Sequence, residues 1–189
     1  PRTREELRRA HGAMAAPFPT LALFNRYAAS SARLMVEGLG DRRREAIARM
    51  NCGFALMRLG RLKEAEQHFD DALSRSRKVG NRRTVAVTLQ NRSTLLRVRG
   101  DFAGAAAALD EAVQTAEGMR FGRLKAAVSL EKVWLALATQ RSAEAVARLA
   151  RAALTEAEET GSPALIAQGC VAKLLSLRLA GARDDALEA

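Results

Sequence analysis

Aromatic residues make up only 4% of this 189-residue chain, with one Trp and one Tyr, and there are four prolines. Such scarcity argues against β-sandwiches and barrels, whose strands are built from aromatic and β-branched side chains. The two cysteines, Cys52 and Cys170, lie far apart without a C-x-x-C or Cys/His spacing, which removes a zinc site, a redox pair and a disulfide framework. They are expected to be buried free thiols in a reducing cytoplasm. No apolar run approaches the roughly 18 residues of a membrane span, and no signal peptide precedes the helices. Walker, GxGxxG, HExxH and GxSxG motifs are absent, so no catalytic residues, metal or cofactor are expected. The start at Pro1 and the stop within a helical pattern read as a piece of a longer protein.

What is present points to helices. Hydrophobic residues are 48% and charged residues 28%, with Ala and Leu abundant, which predicts an all-α chain with a packed core. The formal charge is +10, and Arg supplies it: only five of the 31 basic residues are Lys. Clustered Arg would suit phosphate recognition, whereas Arg spread along the whole chain, as here, suits solvated helix surfaces.

The organising signal is a period of forty. Gly60, Leu62, Ala65, Phe69 and Ala72 return as Gly100, Phe102, Ala105, Leu109 and Ala112, then as Gln140, Ser142, Ala145, Leu149 and Ala152. A one-residue slip leads on to Gly181 and Ala186, and GDRR at 40–43 matches GNRR at 80–83. Each period divides into two helices, with Gly40, Gly80 and Gly161 ending one helix and Asp41, Asn81 and Ser162 capping the next. First helices are predicted at 42–58, 82–98, 121–138 and 163–179, and second helices at 62–79, 102–118, 142–160 and from 183 onward. The repeats then span about 41–80, 81–120, 121–161 and 162–189, after an irregular helix pair in residues 1–40 opened by a Thr3/Glu6 capping box. Spacing of four then three places Ala65, Phe69 and Ala72 on one face, a stripe that one repeat cannot bury alone, so neighbours must stack.

Read through Gly53, Leu56, Gly60, Leu62, Ala65, Phe69 and Ala72, the pattern small–Leu–Gly–Leu/Phe–Ala–Phe/Leu–Ala resembles the tetratricopeptide repeat. The long period is similar to the variety in kinesin light chains, spindle adaptors and bacterial signalling regulators. The resemblance implies a right-handed α–α superhelix whose first helices line a groove for a protein or peptide. The groove positions it implies are Met50, Asn51, Phe54, Met57 and Arg58; then Val87, Gln90, Asn91, Thr94 and Arg97; then Leu130, Glu131, Trp134 and Leu137, with Trp134 open to filling the core between units instead. Asn51 and Asn91 are one repeat apart and resemble a ladder holding a ligand's backbone, since an amide donates and accepts at once. Arg58 and Arg97 would favour an acidic ligand. This chain departs from the pattern at Cys52, Arg92 and Lys132, where an apolar residue is usual, and at Val133, where a small one is.

The acidic stretch Glu64, Glu66, His68, Asp70 and Asp71 invites a metal or acid/base reading, but its echoes forty residues on are Gly104 and Ala108. It is expected to be a solvated helix face. The expectation is a peptide-binding scaffold in a larger bacterial cytoplasmic regulator, without membrane contact. Two rivals stay open: nucleic-acid binding through a basic rim at Arg42–Arg44 and Arg82-Arg83, and self-association through the groove or the last helix.

Overall fold

A computed structural model describes residues 41–187, with side chains to residue 181; the predicted first helix pair, 1–40, and Ala186 as a packing position lie outside what is described. The described residues form seven helices: α1 (Arg42–Arg58), α2 (Leu62–Lys78), α3 (Arg82–Arg99), α4 (Phe102–Ala116), α5 (Gly122–Ala138), α6 (Ala143–Glu159) and α7 (Pro163–Leu187). No strand occurs among them. The fold is an all-α helical repeat. Two compact units divide at residues 79/80. The first contains the α1/α2 hairpin. In the second, α3 pairs with α4 and α5 with α6, while α7 packs against both α5 and α6.

The caps form where the repeat places them. Asp41 accepts from the amides of Arg43 and Arg44, Asn81 from Thr84, Asp101 from Gly104 and Ser142 from Ala145. Ser162 stands directly before α7; its carbonyl accepts from the Ile166 amide at 3.0 Å, and its Oγ accepts from Arg123 Nη2 at 3.4 Å, tying the start of α7 to α5.

Inside each hairpin the turn is the same object three times. The amide two residues past each first helix's last full turn reaches back five residues, from Arg61 to the Leu56 carbonyl, Asp101 to Leu96 and Arg141 to Ala136, each at 3.0 Å. This closure requires a left-handed residue between, and Gly60 (φ 77°) and Gly100 (φ 89°) supply it. In the third hairpin the residue is Gln140, at φ 54°. An L-residue with a Cβ is held there at a cost of about 1–2 kcal/mol. Gln140→Gly is therefore expected to raise stability in urea unfolding by about 0.5–1 kcal/mol, after the larger unfolded-state entropy of glycine is subtracted.

That turn also moves the register. One extra residue separates Gln140 from its helix, which starts at Ala143 behind an N-cap at Ser142. The stripe expected at Ala145, Leu149 and Ala152 is consequently displaced by one: Val146, Ala150 and Ala153 are fully buried, Ala145 and Leu149 are half-buried, and Ala152 is exposed. The slip belongs here, not near Gly181. The expected break at Gly181 is not made either, since α7 runs through it to Leu187. A helical glycine costs about 1 kcal/mol relative to alanine, too little to force a break.

Against the expectation that no apolar run approaches span length, Pro163–Gly181 has a mean hydropathy of 1.3 and the length to cross a membrane. Lys173 and Gln168 interrupt the run without lowering the average below that mark. One face of α7 packs as a repeat helix: Gly169, Ala172 and Ser176 are buried. Cys52 is buried as expected, but Cys170, off that face, is exposed.

The core explains the departures at the small position. Aligned by register, Gly53 faces Phe69 in the first hairpin, Ser93 corresponds with Leu109 in the second, and Val133 shares a cluster with Ala150 in the third. As the first-helix residue grows, the second-helix residue shrinks. The volume is kept and the hairpin spacing survives, so Val133 is accommodated at 0% exposure.

Candidate functional site

First helices in the second unit stand side by side, α3 against α5 and α5 against α7. Residues forty apart on α3 and α5, and forty-one apart on α5 and α7, therefore form rows about 8–10 Å apart. Three rows carry half-buried or exposed side chains throughout: Thr94, Trp134 and Leu175; Arg97, Leu137 and Arg178; Val98, Ala138 and Leu179. Trp134 and Leu137 are half-buried against the core cluster below, leaving part of each side chain exposed. Val98, Leu175 and Leu179 are exposed at 46%, 37% and 41%, which makes this face more apolar than ordinary helix surface. Gln90, Asn91 and Thr94 give the α3 side a half-buried band of amides and a hydroxyl.

Between the first two rows lies a closed ionic group. Glu131 is buried at 4% exposure; its Oε1 accepts from Arg97 Nε at 2.6 Å and its Oε2 from Thr94 Oγ1 at 2.9 Å. The Thr94 hydroxyl also lies 3.4 Å from Gln90 Nε2. Glu131 thus belongs to the α3–α5 seam, and Arg97 has its carboxylate within the chain. Leu130 is likewise core, 1% exposed. The expected residues Val87, Gln90, Asn91, Thr94 and Trp134 retain partial exposure. Leu175, Arg178 and Leu179 were missed in the sequence, although adding forty-one to Trp134, Leu137 and Ala138 reaches them once the insertion after Gln140 is placed.

In the first unit α1 presents its own surface: Asn51, Phe54 and Arg58 are exposed, and Met50 and Met57 are half-buried. The acidic stretch on α2 is partly structural. Arg49 on α1 meets Asp71 on α2 at 2.8 Å, and Arg75 reaches back to Glu45 at 2.7 Å. Glu64 takes two bonds from Arg61, which with the guanidinium's charge hold its carboxyl below the usual range. Among the described residues no group of three or more His, Cys, Asp or Glu could hold a metal ion.

Burial and then the nearby Arg49 charge push His68 below its ordinary value of 6.5, against the pull of Asp71 and Glu64. The unfolded chain therefore binds the proton more readily than the folded one. The His68 contribution is intact above pH 6.5 and declines as pH falls through the lowered folded value. Compared by urea midpoint, wild type is expected to lose more stability on acidification below 6.5 than His68→Gln.

The basic rim at the second unit's edge is engaged by the fold. Arg82 Nη2 donates to the carbonyls of Thr115 at 3.0 Å and Glu117 at 3.2 Å, closing the end of α4. The Arg83 guanidinium stacks 3.9 Å from the Phe121 ring centroid. In the first unit Arg44 pairs with Asp41 at 3.5 Å.

Compared with known families, residues 44–118 match the tetratricopeptide repeat. A search of curated proteins found no match to the chain.

Proposed function

We propose, for a chain whose residues 44–118 belong to the tetratricopeptide-repeat family, that it is a scaffold for protein–protein interaction and that the first-helix face of its second unit seats a partner segment. Repeats of this family are typically non-catalytic, in keeping with the structural contacts made by Glu64 and Asp71. The observation that carries the reading is the bipartite face. Half-buried amides on α3 stand beside an apolar surface from Trp134, Leu137, Leu175 and Leu179. Such a surface takes apolar anchors from a peptide, while Gln90 and Asn91 can bond its backbone. Asn51 is the register equivalent of Asn91 on α1, within the first unit. Because Arg97 is already paired with Glu131, acidic selectivity would rest on Arg178 here and on Arg58 in the first unit. The engagement of Arg82 and Arg83 weighs against nucleic acid as the partner. We further place the module in a larger bacterial signalling or regulatory protein of the cytoplasm.

Peptides selected by display on the full chain test this reading, with Trp134 fluorescence as the titration signal. Leu175→Glu is expected to weaken the selected peptides about tenfold or more, as loss of an anchor does. Asn91→Ala is expected to weaken them less, and adding Asn51→Ala tests whether the first unit takes part. Peptides indifferent to Leu175→Glu would place the site elsewhere.

A further inference from the structure

Glu131 stands forty residues after Asn91 and eighty after Asn51, so on α5 a carboxylate holds the place that an amide holds on α3 and α1. The surroundings differ along with the chemistry. Asn51 is exposed and Asn91 half-buried, whereas Glu131 is 4% exposed with both oxygens engaged. A carboxylate only accepts, so its partners must all donate. Arg97 Nε does so at 2.6 Å and the Thr94 hydroxyl at 2.9 Å, while Gln90 Nε2 stands behind that hydroxyl at 3.4 Å. The Arg97 side chain is itself only 13% exposed, so the group is neutral as a whole and largely out of water. It closes the polar side of the seat, where a partner would otherwise meet a bare guanidinium.

We infer, on the premise that this face seats a partner segment, that Glu131 determines which segment fits. The chain's own carboxylate takes the place of a ligand's on Arg97, so the partner residue lying over Thr94 and Arg97 is neutral. An acidic side chain brought there would set two carboxylates against one guanidinium. The surplus negative charge would sit largely out of water, where like charges repel more strongly than in solution. Moving Glu131 aside to free Arg97 is costly too, because a buried carboxylate would lose its counter-charge. Glu131→Gln reverses the preference. An amide offers one acceptor oxygen, which Thr94 and Arg97 must share, and it carries no charge to neutralise the guanidinium. A ligand carboxylate then restores the balance that Glu131 supplied.

An aspartate scan tests the inference. A peptide selected by display on the full chain is remade with Asp at each position in turn and titrated against wild type and Glu131→Gln. At one position Asp is expected to weaken binding to wild type about tenfold or more, as a like charge does at a desolvated contact. Glu131→Gln is expected to bind that same Asp peptide at least as well as its parent. Glu144→Gln, an equal change of net charge at an exposed position on α6, is expected to scan as wild type does. Identical scans for wild type and folded Glu131→Gln would overturn the inference, as would an equal rescue by Glu144→Gln. A wild-type peptide whose acidic residue ceases to matter once Arg97 and Glu131 are both Met would overturn it too, and that measurement needs no folded Glu131→Gln. If no selected peptide responds to Leu175→Glu, the seat itself fails and the inference falls with it.

Discussion

Phe69→Ala is expected to destabilise the first unit by about 3–5 kcal/mol, the range for removing a fully buried aromatic side chain. The argument lies in what the ring touches. A Cβ built on Gly53 would stand 2.7 Å from both Cδ1 and Cε1 of Phe69 and 3.1 Å from the Ala65 carbonyl oxygen. The ring therefore occupies the space that a side chain at 53 would need, and its removal leaves a hole that the helix backbones cannot close without losing their other contacts. Gly53→Ser alone is expected to cost about 1–3 kcal/mol by overpacking. The second hairpin gives the compatible arrangement: Ser93 is fully buried, donates to the Ala105 carbonyl at 2.8 Å, and corresponds in register with Leu109. Combining Gly53→Ser with Phe69→Leu should consequently cost less than the sum of the two single changes by about 1–2 kcal/mol. Urea unfolding followed by circular dichroism measures the cycle. Strict additivity would show that the two positions do not trade volume, and the same inference for Val133 with Ala150 would fall with it.

This exchange also marks how far sequence carries. Ala65, Phe69 and Ala72 with their echoes at Ala105, Leu109 and Ala112 revealed the hairpins, because helical packing recurs at the same residues whenever the same two surfaces meet. Gln140 concealed the shift after it. A glutamine advertises no turn, and nothing local reports the extra residue that moves burial from Ala145, Leu149 and Ala152 to Val146, Ala150 and Ala153. The rows of the candidate site were legible on α3 and α5, where the period is forty, and were lost on α7, where it is forty-one. The roles of the charged residues were hidden for a different reason. Arg82 meets Thr115 and Glu117, and Arg97 meets Glu131, over separations of more than thirty residues. Those pairs exist only after hairpins close and first helices stack, so the sequence shows the charges without their partners.

Glu131→Ala is the second change with a large expected effect, a loss of about 3 kcal/mol from the second unit. The carboxylate is 4% exposed and its partner Arg97 13%, so truncating Glu131 leaves a cation largely out of water with neither a counter-charge nor its 2.6 Å hydrogen bond. Thr94 loses an acceptor at the same time. Glu131→Gln keeps the shape and an acceptor for Thr94 and is expected to cost less. Replacing both Arg97 and Glu131 by Met is expected to return most of the stability, because the desolvation of two charges disappears with their attraction. A cost within about 0.5 kcal/mol for Glu131→Ala, the level of an ordinary surface change, would mean that the α3–α5 seam does not depend on this group. The same variants separate stability from recognition. If Arg97 serves the seam, the Met pair should bind display-selected peptides about as well as wild type, and any acidic preference should persist through Arg178. Peptides that lose affinity in the folded Met pair would instead show that Arg97 leaves Glu131 to meet its ligand.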